Sequence, residues 1–386
     1  MFSLGKRAHG GKPVFLADID SGSVAVSVAI VGEEQARVLI SERSFLSVEN
    51  RDAEHTTAAI VQLLSDVTAR IAKTYSESEV GKKEGPVSAL YAVTASPWVR
   101  SRTSVAEEVF QEEKHVTDAL IKTLAKRALQ EPSPLESSRV FESSVTRVQL
   151  NGYSTGKPVG KRAHHVSVTA LQSDIDSNFK QGIENALHQT FPGRNVDFRS
   201  NTRVALTSLH ERAPSHHYML FAMGAAATDC IAVHKEDTSD HTSASVGVST
   251  IAKRLAGESG LPEETFSLMR MLMNDTCSDP ACGVLKANLA TYELELVKVF
   301  GDMFASIATH RKVPNDCFLV AHADFMPWLE HFLTRIDFAQ FTVTAQPLSV
   351  VLLSPEHLRN QVVWEKGARE DTNIALAAAF VNSIHH

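Results

Sequence analysis

The sequence contains few cysteines, no long apolar run and no excess of positive charge. Four cysteines occur in 386 residues, and their spacing matches no zinc-binding motif. No secretory signal precedes them, so we expect four reduced thiols in a cytoplasmic protein. These are Cys230, Cys277, Cys282 and Cys317. The apolar run over residues 24–31 is short and interrupted by Ser27, so no direct membrane insertion is expected.

The charge balance argues against nucleic acid as a partner. Thirty-eight basic residues stand against 45 acidic ones, and the formal charge of -7 attracts neither nucleic acid nor an anionic membrane to the molecule as a whole. With 43% hydrophobic residues the chain has the composition of a soluble globular protein. At about 150 residues per domain, its length predicts two or three domains.

Two stretches share one pattern, in which an apolar run, a turn of small residues and a second apolar run follow each other. The first reads VFLADIDSGSVAVSVAIV over residues 14–31, and the second reads HYMLFAMGAAATDCIAVHKE over residues 217–236. The first pattern is typical of a β-hairpin. Its repetition in the second half indicates an internal duplication.

Strands and helices alternate in the rest of the chain. Residues 36–48 predict a strand, residues 53–75 an amphipathic helix, and residues 87–98 a buried strand that ends in a turn. Thr117 is the expected N-cap of a further helix. A long helix is expected over residues 287–309.

The middle of the chain carries a resemblance to a known family. It contains YAVTASPWVRSRT, HVTDALIKTLAKRALQ and SVTRVQLNGYSTGKPVGKRAHHVSVTALQ, in which the turn over residues 151–160 is similar to a DG…NPiG turn. With hairpin turns on either side and a strand and turn near the C-terminus, the order resembles the FtsA and PilM group of the actin-like ATPase superfamily.

This resemblance implies an α/β fold in which two actin-like (ribonuclease H-like) domains face a cleft, with an inserted subdomain on the first. Residues 1–86, 171–202 and 351–386 would form the first domain. Residues 87–170 would form the inserted subdomain, and residues 203–350 the second domain.

The family's first phosphate turn reads roughly D-I-G-S-G. Here Asp18 keeps the implied magnesium ligand, and Ser21, Gly22 and Ser23 are the implied phosphate contacts. Asp20 stands where the family has glycine. Its carboxylate would face the phosphates, and like charges about 4 Å apart repel by several kcal/mol at an intermediate dielectric. An ordinary hairpin turn explains the same residues, because Asp, Ser and Gly are common in turns.

The family's second turn reads D-I-G-G-G-T-T-D, and this chain has AMGAAATD. Gly224, Thr228 and Asp229 remain as implied nucleotide contacts, whereas Ala222 replaces the first carboxylate. Alanine cannot position magnesium or water.

The adenosine loop also departs from the family's pattern. The family has paired glycines there, and this chain has Ala321 and His322. His322 could stack on a base or simply fill the gap.

The inserted subdomain carries the partner-binding candidates. Lys157, Lys161 and Arg162 form a basic cluster in its turn, and Trp98 and Arg100 lie in SPWVRSR. Exposed basic turns dock acidic segments, and Trp and Arg are enriched at interfaces. A solvated loop and a core tryptophan are the alternative interpretations.

The expected function is that of a cytoplasmic scaffold with weak or absent ATP hydrolysis. FtsA-like proteins end in a basic amphipathic helix, whereas this chain ends at its last helix, which favours the PilM side. The resemblance implies a PilN-like membrane-protein tail as partner, or self-association, in a type IV pilus or cell-division platform at the inner membrane. Two alternatives stay open. One is an active ATPase in which Asp18, Asp20 and Asp229 share magnesium, and the other is a sugar or acetate kinase.

Overall fold

The computed structural model describes residues 11–48, 52–130, 134–209, 217–234, 239–257, 260–278, 280–309 and 312–385. The strands are β1 Lys12–Asp20, β2 Ser23–Val31, β3 Ala36–Phe45, β4 Ala89–Thr94, β5 Val99–His115, β6 Val140–Leu150, β7 Tyr153–Ser154, β8 Arg162–Ile175, β9 Val196–Ser200, β10 Tyr218–Met223, β11 Thr228–Val233, β12 Ser239–Ala244, β13 Asp316–Val320, β14 Ser349–Leu352 and β15 Val362–Trp364. The helices are α1 Ala53–Glu77, α2 Glu79–Glu84, α3 Asp118–Leu129, α4 Ser177–Thr190, α5 Asn201–Leu209, α6 Val248–Ala256, α7 Pro262–Met273, α8 Pro280–Ala308, α9 Met326–Arg335 and α10 Thr372–His385.

Two of the three sheets share one topology. The first sheet has the order β15-β3-β2-β1-β4-β9, and the second has the order β12-β11-β10-β13-β14. In each, the opening strand pairs antiparallel with the strand after it in the chain and parallel with a later one. Both predicted hairpins are therefore present, and the duplication is confirmed. We call each sheet with its packed helices a lobe, the first lobe carrying α1, α4, α5 and α10, and the second α6 to α9.

The third sheet is antiparallel throughout and has the order β5-β8-β6-β7. Its apolar face packs on α3, whose N-cap Thr117 accepts a hydrogen bond from the backbone N–H of Leu120 at 3.2 Å, as predicted. Sequence analysis missed β5, a 17-residue strand directly after the predicted turn. Its glutamates and lysine obscure the alternation of buried and exposed positions.

The lobes share a core around α10. Nine of the 14 residues of this alanine-rich helix are buried, because the first sheet lies on one side of it and residues of β10 and β11 lie beyond. The other face of the first sheet packs against α1 and α4. Within the described residues, no helix is both long and apolar enough to cross a bilayer.

The expectation of four reduced thiols is wrong for one pair. Cys277 and Cys282 form a disulfide between α7 and α8, with their Cα atoms 6.4 Å apart, a separation that a disulfide can bridge. The turn between the helices brings them together, and their spacing alone carries no recognisable motif. Cys230 and Cys317 are free and buried.

Candidate functional site

A cleft of about 630 Å³ lies between the lobes, a volume typical of small-molecule sites. It is lined by the β1–β2 turn of the first lobe (residues 20–22, the first turn) and by the β10–β11 turn of the second lobe (residues 224–227, the second turn). Equivalent strands of the duplicated sheets carry the two turns, which explains why they face each other.

The two turns bind each other directly. The backbone N–H of Ala225 donates to Asp20 Oδ2 at 3.1 Å, and the N–H of Gly22 donates to the same oxygen at 3.4 Å. The N–H of Ala226 donates to Ser21 Oγ at 2.8 Å. The carboxylate of Asp20 thus accepts backbone hydrogen bonds of the kind that phosphate oxygens accept in such turns.

The turns are also in steric contact. A Cβ atom placed on Gly22 would lie 2.3 Å from the Cβ of Ala225, and one placed on Gly224 would lie 2.2 Å from Asp20 Oδ1. Both glycines therefore permit the close approach of one turn to the other. The resemblance assigned them to phosphate.

A buried guanidinium occupies the centre of the site. Arg43 of β3 donates from Nη2 to Asp18 Oδ2 at 2.8 Å, from Nε to Asp371 Oδ2 at 2.6 Å and from Nη1 to Ser23 Oγ at 2.7 Å. Asn373 Nδ2 donates to Asp18 Oδ2 at 3.1 Å. Asp18, the magnesium ligand that the resemblance implied, is thus bound by one guanidinium and one side-chain amide.

The electrostatics of this cluster follow from burial and from Arg43. Burial raises the pKa of Asp18, although Arg43 opposes the shift. Burial also acts to raise the pKa of Asp371, but the charge and hydrogen bonds of Arg43 outweigh it and the pKa of Asp371 is lowered. Burial alone would lower the pKa of Arg43, and the two carboxylates raise it instead. The three groups form one ion-paired unit.

These residues do not fit a magnesium triphosphate between the turns. Asp20 takes the N–H groups that would hold phosphate, and Arg43 takes the carboxylate of Asp18 that would hold magnesium through water. Seven carboxylates and two guanidiniums line the cleft. The second guanidinium, Arg270, is bound bidentately by Asp324 at 2.7 and 2.9 Å. Both lining cations are therefore paired within the protein.

Thr228 and Asp229, which follow the second turn at the start of β11, have partners in the protein as well. Asp229 Oδ1 accepts from Ser96 Oγ of the first lobe at 2.7 Å and lies 3.3 Å from His241 Nε2. The hydroxyl of Thr228 donates to the backbone oxygen of Val246 at 2.6 Å. Asp229 therefore lines the cleft and joins the lobes.

His322 lies at the mouth of the cleft, between aromatic rings of both lobes. Its ring centroid is 5.2 Å from that of Phe45 and 4.7 Å from that of Phe266. Nδ1 of His322 accepts from the backbone N–H of Asp324 at 3.2 Å. Burial lowers the pKa of His322, which favours the neutral ring.

Two partner-binding candidates make intramolecular contacts. Trp98 stacks on Phe179 with ring centroids 4.0 Å apart and donates from Nε1 to Thr57 Oγ1 at 2.9 Å. Arg100 binds Asp174, with Nε donating at 3.2 Å. Trp98 therefore helps to fix the start of the third sheet on the first lobe, whereas Arg100 and Asp174 join two strands of the third sheet.

The basic cluster is exposed. Lys157 and Lys161 lie in the turn that follows β7, Arg162 is the first residue of β8, and all three side chains are exposed. Lys161 Nζ donates to Thr155 Oγ1 at 2.7 Å. In the part of the chain that the structure describes, no carboxylate forms an ion pair with any of the three. The cluster is an accessible part of the predicted partner surface, as is Arg100, whose side chain is 52% exposed.

We expect Asp20→Asn to change the pH dependence of stability. Burial raises the pKa of Asp20 above 3.8, despite hydrogen bonds from the backbone of Ser21 and Ala225. A raised acid pKa in the folded state gives stability that is largest below the unfolded pKa and lost as the pH rises through the folded pKa. Urea unfolding between pH 4 and about 8 should therefore show that the free energy of unfolding of Asp20→Asn rises relative to that of the wild type as the pH rises. A difference in free energy of unfolding between the two proteins that stays constant across that range would contradict the raised pKa of Asp20.

Comparison with known proteins gives the fold. No family model and no curated protein matches the chain. A solved PilM–PilN type IV pilus biogenesis complex superposes with a TM-score of 0.59 at 12% identity, over 97% of this chain and 98% of that one. Two other structures superpose more loosely. One is the ethanolamine utilization protein EutJ of Carboxydothermus hydrogenoformans, with a TM-score of 0.45 at 8% identity over 96% of this chain and 89% of that one. The other is a Bacteroides thetaiotaomicron protein with an actin-like ATPase fold, with a TM-score of 0.38 at 10% identity over 99% of both chains. The chain has the two-domain actin-like fold, with similarity to PilM.

Proposed function

We propose that this chain is a scaffold of PilM type, which binds a cytoplasmic segment of a membrane protein and hydrolyses ATP weakly or not at all. The observation that carries the proposal is the hydrogen bonding of Asp20 to the second turn. A protein carboxylate takes the place between the two turns that a polyphosphate would need, and it joins the lobes to each other.

The surroundings of the turns support weak or absent hydrolysis. Phosphoryl transfer depends on cations and donors that stabilise charge on the transferred group. Here Arg43 is neutralised by Asp18 and Asp371, and Ala222 offers no group at the position of the family's second-turn carboxylate. We therefore assign the cleft a structural role.

Titration of the purified protein with labelled ATP and magnesium tests this assignment. We expect neither micromolar binding nor turnover above that of a heat-denatured sample. The opposite result, binding with turnover that Asp18→Ala abolishes, would establish the alternative of an active ATPase with unusual phosphate turns.

The partner half of the proposal rests on the likeness to PilM and on surface charge. The similar solved structure is a complex with PilN, and a PilN-like tail is the partner we propose here. The exposed turn of Lys157, Lys161 and Arg162 suits an acidic stretch of such a tail. Binding of this kind would hold the protein at the inner membrane through its partner.

Charge reversal of the basic cluster should weaken that binding. We expect glutamate at all three positions to reduce recovery of co-purified membrane-protein neighbours at least about ten-fold, because three attractive contacts become repulsive. Recovery is measured by quantitative pull-down at fixed salt concentration.

The matched control carries the same change of charge on other exposed elements. It reverses Lys73, Lys298 and Lys366. Equal recovery with the two triple variants would show that the turn is not the docking surface.

A further inference from the structure

The third sheet carries an acidic stretch at its distal end, the end away from the first lobe. The strand β5 begins at Val99 in the core of the first lobe and reaches the distal end over residues 107–115. Residues 107–113 read EEVFQEE, with four glutamates and no basic residue. Glu107 lies 3.3 Å from His165 Nε2, and in the described part of the chain no basic group forms an ion pair with the other three. We call these three the acidic cluster, which consists of Glu108, Glu112 and Glu113.

The basic cluster lies beside the acidic cluster at the distal end. The backbone N–H of Val116, just after β5, donates to the backbone oxygen of Lys161 at 2.8 Å. The turn between β6 and β7 is fixed by Asn151, whose Oδ1 accepts from the backbone N–H groups of His164 and His165 at 2.9 and 3.0 Å. The two clusters are therefore neighbours on an ordered surface, and among the described residues neither is ion-paired with the other.

The distal end also exposes large apolar side chains. Tyr153, near the basic cluster, is 80% exposed, and Val109, within the acidic stretch, is 76% exposed. Val159, between the lysines of the basic cluster, is 52% exposed. Among the described residues, no other large hydrophobic side chain is as exposed as Tyr153 or Val109. Apolar groups rimmed by charges mark protein–protein contact sites, and tyrosine is enriched among the residues that carry binding energy there.

We infer that two copies of the chain associate through the distal ends of their third sheets, with the basic cluster of each copy against the acidic cluster of the other. A second copy matches both clusters at once, because it presents the same two charges in the same arrangement. In a pair with two-fold symmetry each contact occurs twice. The pairing also brings Val109 of one copy near Tyr153 of the other, and burial of these side chains adds to the attraction.

The inference rests on the proposed function, because the same basic cluster is proposed to receive the tail of a membrane protein. Self-association covers the cluster, so an acidic tail has to displace the second copy to reach it. The contact is small and its charges are exposed, and such contacts are weak. We therefore expect a dissociation constant of about 10–100 µM.

Sedimentation velocity of the full chain, at about 1 to about 300 µM protein, measures the association. We expect a monomer–dimer equilibrium whose dissociation constant rises at least about ten-fold between about 50 and about 500 mM salt, because salt screens exposed charges. A chain that stays monomeric throughout, or a dimer that is insensitive to salt, would overturn the inference.

Two triple variants test which groups meet. One reverses the acidic cluster by Glu108→Lys, Glu112→Lys and Glu113→Lys, and the other reverses the basic cluster by Lys157→Glu, Lys161→Glu and Arg162→Glu. Each should weaken the dimer at least about ten-fold, because every contact becomes repulsive. An equimolar mixture should dimerise to within about three-fold of the wild type, because each variant presents the charges that the other needs. That recovery also shows that both variants fold, and a mixture that stays monomeric would contradict the pairing.

A pair of single variants tests the apolar part of the contact. Tyr153→Ser should weaken the dimer about five-fold or more, because a large exposed side chain at its centre is lost. Leu294→Ser is the matched control, since Leu294 is 74% exposed on α8 of the second lobe. Equal dissociation constants for these two variants would show that the contact lies elsewhere.

Pull-down of membrane-protein neighbours separates the inference from the proposed function. The variant with a reversed acidic cluster loses the dimer but keeps the basic cluster, so it should recover these partners at least as well as the wild type. Recovery that reversal of the basic cluster leaves unchanged would defeat the proposed function, whereas the inference fails on the sedimentation results. Binding of a monomeric chain to phosphatidylglycerol vesicles through the distal end would assign this surface to lipid and overturn the inference.

Discussion

Arg43→Met lowers the free energy of unfolding by about 3–5 kcal/mol, the loss typical of breaking a buried ion pair from one side. Arg43 is the cation between Asp18 and Asp371, with contacts of 2.8 and 2.6 Å, and its side chain is only 17% exposed. Methionine fills similar space but leaves two buried carboxylates facing each other without a positive charge. Urea unfolding at neutral pH measures the difference.

The control for this prediction is Arg70→Met. Arg70 pairs with Glu42 on the same lobe, but its side chain is 52% exposed, so we expect a loss below about 1 kcal/mol. Adding Asp18→Asn and Asp371→Asn to Arg43→Met should restore much of the lost stability, because the unpaired charges are then gone. A loss for Arg43→Met no larger than that for Arg70→Met would refute the role given to this cluster.

Gly22→Ala separates the two turns and costs about 1–3 kcal/mol of stability, as overpacking of a tight contact does. The added methyl would lie 2.3 Å from the Cβ of Ala225, a distance that cannot be tolerated without movement. Movement of the turn would also stretch the hydrogen bond between Asp20 and Ala225. Thermal and urea unfolding report the cost, and protease susceptibility reports the opening of the lobes.

Ala225→Gly provides the rescue. In the double variant the nearest atom of residue 225 to the new methyl is its Cα at 3.7 Å, an ordinary contact, so most of the loss should be recovered. Gly156→Ala is the neutral control, because a Cβ there meets nothing within 4 Å. If Gly22→Ala behaves like Gly156→Ala, or if Ala225→Gly gives no recovery, the turns do not touch as described.

The parts of the fold that could be predicted are those that depend on local sequence patterns. Both hairpins follow from apolar runs around turn residues, and Thr117 marks the start of α3. The strand β5 could not be predicted, because its exposed stretch contains Glu107, Glu108, Glu112 and Glu113 and reads as loop or helix. The disulfide of Cys277 was missed because only the geometry of the α7–α8 turn creates it.

In the site, too, some residues could be identified from the sequence and others could not. Asp18, Asp20 and Asp229 all line the cleft, and the contacts to nucleotide and magnesium that the resemblance implied for them stay predictions. Their partners were not foreseen, because Arg43 and Asp371 come close only when β3 and the start of α10 fold onto the end of β1. One local signal was available. Asp371 stands before an apolar helix and accepts from the N–H of Ile374 at 3.0 Å, as helix-capping residues do.

The central claim is that protein groups fill the phosphate end of the cleft. The most direct measurement is a crystal structure of the protein grown with millimolar ATP and magnesium. We predict that Asp20 Oδ2 stays within hydrogen-bonding distance of the N–H of Ala225, that Arg43 stays between Asp18 and Asp371, and that no triphosphate lies between the turns. An ordered triphosphate there, with a magnesium ion held by Asp18 and with Asp20 displaced, would contradict the account.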